Sequence, residues 1–140
     1  ERESSVPDGI CGYIWDDAQA RVLDVTPDAA VVNEFSSARS NKRRTVAMAK
    51  TGGDPNSATS QWFVNLADNS ANLDNQNGGF TVFGEVTHGS MAVVDAIARL
   101  PLVNAGSPFD SLPLASPLIE NVFKKNNFVL VSAATAVANS

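Results

Sequence analysis

Cysteine and histidine are nearly missing from this chain: Cys11 and His88 are the only ones in 140 residues. A single cysteine excludes an internal disulfide and a CxxC pair. One cysteine with one histidine leaves no structural zinc site, and a Cys–His nucleophile pair requires the fold to bring positions 11 and 88 together. His88, followed by Gly89 just ahead of a helical pattern, reads as a solvent-facing turn residue. Basic charge is short as well, with 10 Lys and Arg against 15 Asp and Glu and a net charge of −5. Such a surface lacks the positive field that nucleic acid binding needs. The one basic cluster, "NKRR" at 41–44, reads as a solvated turn before a strand.

Other absences narrow the chemistry. No apolar run approaches the ~20 residues that cross a bilayer, so no membrane partner is expected. The opening "ERESSVPDG" has no signal-peptide core and no Met, which reads as a processed form or a fragment. There is no carboxylate pair at a recognisable spacing and no metal-ligand cluster. "TGGDP" at 51–55 lacks the Lys-Ser/Thr of a phosphate loop, and no helix follows it. No cofactor is expected. An enzyme with this inventory works by shape and hydrogen bonding, not by covalent or metal chemistry.

What is present suits one domain with one core, spanning 1–140. Residues 1–30 are irregular, with "GYIW" and "ARVLDV" as the strand-like pieces. "TVAMA" (45–49), "QWFVNLA" (61–67) and "FTVFGEV" (80–86) read as strands rich in β-branched and aromatic residues. In the third of these, alternation sets Phe80, Val82 and Gly84 on one face. "GSMAVVDAIARLP" is a helix with Ser90 as N-cap, with Met91, Val94, Ile97 and Ala98 along one side, and with Pro101 as its stop. "NFVLVSA" near the end reads as a last strand, and "DNSANLDNQNGG" as a long polar loop holding one apolar residue, Leu73. Strands dominate and nothing alternates β-α-β. The fold class is mainly β, an antiparallel sheet or barrel with a packed helix.

The stretch "SATSQWFVNLADN" (57–69) carries the functional question. Gln61 and Phe63 lie two apart on a strand and share a face. They fit an ordinary half-buried strand, and they also fit an amide set beside an apolar pocket. Met48, Phe63 and Phe80 read equally as core packing. Leu73, alone in its polar loop, either pins that loop or lines a groove.

Residues 45–97, from "TVAMAKTGG" through "SQWF", "NLD" and "VFGEV" to "VVDAI", resemble the bacterial cyclophilins, the cyclophilin-type peptidyl-prolyl cis-trans isomerases. "VVNEF" and "SARSNKR" extend the likeness upstream, and it is good from about Val31 to Leu100. The resemblance implies a closed antiparallel β-barrel capped by helices, and catalysis of X-Pro isomerisation in protein folding. Its substrates are proline-containing peptides or unfolded proteins. By motif position, Gln61 bonds the substrate backbone. Phe63, Met48 and Leu73 are pocket walls, and Ala49 and Lys50 form the rim where main chain pairs with peptide. Phe80 stands where the family often has histidine or tyrosine. Asn72 stands where many eukaryotic members carry a tryptophan that helps bind cyclosporin, so weak cyclosporin binding is expected. The family's catalytic arginine is out of register: Ser4 falls at its position, Glu3 replaces the neighbouring histidine, and Arg2 is two positions off. Arg44 takes the place of a usual glycine. The family's first strands and first helix have no counterpart ahead of residue 1, so the barrel is expected to be incomplete at its amino-terminal end. The absent arginine leaves a second reading, a weak or inactive proline-peptide binding module. A partner-assembled β domain with a vestigial groove is a third. Compartment stays open between bacterial cytoplasm and periplasm.

Overall fold

The computed structural model describes residues 14–16, 21–23, 28–106, 110–131 and 133–137. Two short strands come first, β1 (Ile14–Asp16) and β2 (Arg21–Leu23), paired antiparallel. They match the two strand-like pieces expected there. The middle of the chain forms a three-stranded antiparallel sheet. Its order is β4-β3-β5, with β3 (Thr45–Met48) in the centre, β4 (Trp62–Val64) on one side and β5 (Val82–Glu85) on the other. A one-turn helix, α1 (Ser70–Leu73), stands between β4 and β5. After β5 comes α2 (Met91–Ala98), then β6 (Leu102–Val103) paired with β7 (Leu112–Pro113). The described residues are mainly strand and turn. They form three separate sheets, and no closed barrel is made among them.

Register explains the faces of the central sheet. Ala47 lies opposite Phe63 and Val82, whereas Val46 lies opposite Val64 and Gly84. Cross-strand partners share a face. Ala47, Phe63 and Val82 therefore form one side, and they join Ala49, Leu73 and Phe80 in a single buried cluster. A bulge between Val46 and Ala47 breaks the expected alternation of β5. Gly84 consequently sits on the opposite face from Val82, and the extra residue, Phe83, is 57% exposed.

Two sequence expectations fail for local reasons. "NFVLVSA" forms no strand: Lys125–Asn127 is a 3-10 turn, Phe128 makes one isolated bridge to Leu114, and Leu130 and Val131 face solvent. β-branched composition does not make a strand where no neighbouring edge offers a ladder. Ser90 does not cap α2 with its side chain; Thr87 donates its hydroxyl hydrogen to the Ser90 Oγ instead, at 2.9 Å.

Arg44 is not a solvated turn residue. Its φ is +78°, the left-handed region that glycine enters without penalty. That conformation gives a physical reason for glycine at this position. It is held by Arg44 N–H donating to Asn65 O and Val86 N–H donating to Arg44 O, both at 2.9 Å. The side chain reaches Val86 O (3.0 Å), Glu85 (2.9 Å) and His88 Nε2 (2.8 Å). His88 is itself exposed, as expected. The strain costs about 1–3 kcal/mol, against roughly 0–1 kcal/mol for a surface ion pair. Arg44→Gly is therefore expected to unfold at a temperature no lower than Arg44→Ala, which loses the same contacts and keeps the strain. Differential scanning calorimetry of the pair reads this directly.

Candidate active site

Three apolar side chains converge beside β4. Phe63 and Leu73 are fully buried and Phe80 is 3% exposed. Phe63 and Phe80 meet edge to face, centroids 6.0 Å apart at 73°. Leu73 reaches this position because α1 folds what reads as a plain polar loop into one helical turn, closed by Leu73 N–H donating to Asn69 O at 2.8 Å. Phe80 N–H then donates to Leu73 O at 3.0 Å, which sets the two walls side by side. Gly79, just before Phe80, has φ +81°, and a Cβ there would lie 2.3 Å from the Phe35 ring. Only glycine fits.

The polar edge is set by β4. Ala49 N–H donates to Gln61 O at 2.9 Å, which carries the β3–β4 ladder one step past Trp62. Gln61 thereby shares the face of Phe63. It is half-buried, and its side-chain amide has no hydrogen-bond partner among the described residues. The main-chain N–H and C=O of Lys50 likewise lack partners among the described residues.

Three sequence-derived site residues behave differently. Met48 pairs with Trp62, so it lies on the opposite face from Phe63 and outside the buried cluster. It is not a wall of this site; period-two alternation turns it away. Ala49 and Lys50 were expected on the rim, yet Ala49 is packed in the buried cluster and the Lys50 side chain is buried too. The Lys50 ammonium donates to Asn77 O and Gly79 O, each at 2.6 Å, and lies 4.5 Å from the centroid of the Phe80 ring. Burial pushes this ammonium below the usual lysine value, with the charge of Asp54 pulling the other way. Asn72 is exposed on α1, and Ser4 lies outside the described residues.

The family pattern of the cyclophilin type peptidyl-prolyl cis-trans isomerases (with the cyclophilin-like CLD group) matches residues 14–122. The chain belongs to this family. The match takes in β1 and β2 and reaches beyond 31–100 at both ends. Peptidyl-prolyl cis-trans isomerase of Acinetobacter baylyi is 47% identical over 79 residues, covering 56% of this chain and 41% of the relative. Peptidyl-prolyl cis-trans isomerase A of Dickeya dadantii is 41% identical over 91 residues, 64% of this chain and 45% of the relative. Peptidyl-prolyl cis-trans isomerase B of Escherichia coli is 38% identical over 96 residues, 66% and 57% respectively. The chain thus spans about half the length of the curated relatives it matches.

Among cyclophilins an arginine is expected beside the amide. Here Arg39 donates to Glu34 O and Val82 O, Arg43 is bound to Leu66 O and Asp95, and Arg44 is engaged as described. These three guanidiniums are committed elsewhere. The "NKRR" turn is accordingly a tie between the sheet and α2, through Arg43–Asp95 at 2.7 Å, more than a solvated patch.

The sequence reading missed a buried polar network behind the walls. Asn41 and Asn65 are completely buried. Asp74 accepts from Ser40 Oγ, from Asn41 N–H (2.9 Å) and from Asn41 Nδ2 (2.8 Å). Burial pushes the Asp74 carboxyl up, but these hydrogen bonds outweigh it and hold the carboxyl below its ordinary value. A depressed carboxyl gives stability that is present above the unfolded value and lost as pH falls through the folded one. Wild type is therefore expected to be more stable than Asp74→Asn at neutral pH. That margin should shrink as pH drops below about 4, which urea unfolding at a series of pH values will show.

Proposed function

We propose that this chain accelerates rotation about X-Pro peptide bonds in proline-containing peptides and unfolded proteins. The observation that carries the reading is the Gln61 amide, without a partner among the described residues, on the same strand face as the buried Phe63 ring. The X-Pro barrier, near 20 kcal/mol, comes from amide resonance. No bond is made or broken, so a catalyst has only to prefer the twisted amide to both planar forms. In this reading the pyrrolidine ring sits against Phe63 and Leu73, a dry site that disfavours the polar planar amide. Gln61 bonds the substrate backbone, and the N–H and C=O of Lys50, without partners among the described residues, pair with the peptide main chain. One end of the peptide is held while the other turns. The sheet β4-β3-β5 is in this reading a portion of the family's closed antiparallel barrel. Asn72, polar where a tryptophan favours cyclosporin, makes that inhibitor a weak ligand.

The test is isomer exchange in a short X-Pro peptide, followed by NMR at micromolar protein. Exchange faster than the uncatalysed rate supports the proposal. Peptide shifts at Gln61 and Phe63 without faster exchange would leave a binding module, and neither would remove the site.

A further inference from the structure

We infer that Asn41 is a positioning residue that sets the spacing of Phe63, Leu73 and Phe80; the inference rests on the reading of these three as the proline site. Asn41 lies well before all three in the chain, yet it is hydrogen-bonded to Phe80 itself and to residues within two positions of Phe63 and Leu73. Its Nδ2 donates one hydrogen to Asp74 Oδ1 (2.8 Å), the residue after Leu73, and the other to the carbonyl of Phe80 (3.0 Å). Its Oδ1 accepts from Asn65 Nδ2 (3.2 Å), two residues after Phe63 on the same strand face. Its backbone N–H donates to Asp74 Oδ1 (2.9 Å), and its backbone C=O accepts from Asn69 N–H (2.9 Å), at the start of α1. Each donor of this fully buried residue is used, and both its oxygens accept. Asn65 is braced in turn by Thr45 Oγ1 (2.9 Å) and Asn69 Nδ2 (2.8 Å), so the hub is tied to β3 as well.

A buried network of this kind has one low-energy arrangement, because shifting any member leaves a polar group without water or partner. Apolar burial is non-directional and does not single out one arrangement in that way. Asn41 turns a loose apolar contact into a fixed spacing.

Three variants test this. Asn41→Ala removes the hub, and Asn41→Asp keeps its size but sets a carboxylate against Asp74. The double change Asn41→Asp with Asp74→Asn returns the 41–74 hydrogen bond in reversed sense and leaves the Phe80 carbonyl without a donor. Both single variants are expected to lower kcat/KM at least tenfold, mainly through a higher KM, at temperatures where circular dichroism shows them folded. The double variant is expected to recover only part of that loss, since the Phe80 carbonyl stays without its donor. Amide hydrogen exchange gives a readout independent of catalysis: Leu73 and Phe80 should exchange at least tenfold faster in Asn41→Ala, with the β3 amides unchanged. Should wild type itself fail to isomerise the peptide, the function proposed above falls, and exchange at Leu73 and Phe80 still decides the role of Asn41. Single variants within twofold of wild type, no recovery in the double variant, or uniform acceleration of exchange across β3 and α1 would each overturn the inference.

Discussion

Gln61→Ala is expected to lower kcat/KM for an X-Pro peptide by about 10- to 100-fold while leaving thermal unfolding within a degree or so of wild type. The two halves of that result come from the same fact. The Gln61 amide makes no hydrogen bond to the described residues, so folding does not depend on it. A donor held ready without an internal partner acts only when substrate supplies one. Losing a preorganised hydrogen bond that tightens in the transition state costs roughly 1.4–2.7 kcal/mol over that range, at about 1.36 kcal/mol per factor of ten. Gln61→Glu is a useful companion, because it keeps the shape and removes the amide donor. Equal kcat/KM in wild type and Gln61→Ala would remove Gln61 from the site.

Phe63→Ala is expected to damage stability and activity together. The ring is fully buried, meets Phe80 edge to face and belongs to the same cluster as Leu73 and Val82. Truncating a buried phenylalanine costs about 3–5 kcal/mol, the transfer term plus the cavity left behind. Against a typical total of about 5–15 kcal/mol this is a large share. Urea denaturation should show the midpoint fall with little change in slope. Activity should be lost even at temperatures where the variant is folded, since the wall against which the proline ring sits is gone. Phe63→Leu should recover most of the stability and little of the activity. If Phe63→Ala unfolds like wild type, the ring is not the core element described above.

The face shared by Gln61 and Phe63 was legible from two-residue spacing alone, because strand alternation is a property of the backbone. Met48 shows the limit of the same rule. Its place in a motif said nothing about register, and pairing with Trp62 turns it to the other side. The β5 bulge is illegible for a related reason: one extra residue shifts every later side chain, and nothing in "FTVFGEV" marks where it enters. Leu73 was conspicuous as an apolar residue in a polar loop, and burial is what such isolation predicts. Asn41, Asn65 and Asp74 were hidden by the opposite effect, since polar residues in polar stretches read as solvated. Only three-dimensional closure removes water from them. Lys50 was hidden in the same way, as its side chain turns in to hold Asn77 and Gly79.

Trp62 stands beside Phe63 in sequence yet projects from the reverse side of the sheet, 43% exposed. Its indole is therefore expected to change little in emission when a peptide docks on the Phe63 face. An optical signal of docking has to come from the chain's other indole, Trp15, or from a dye attached to the peptide.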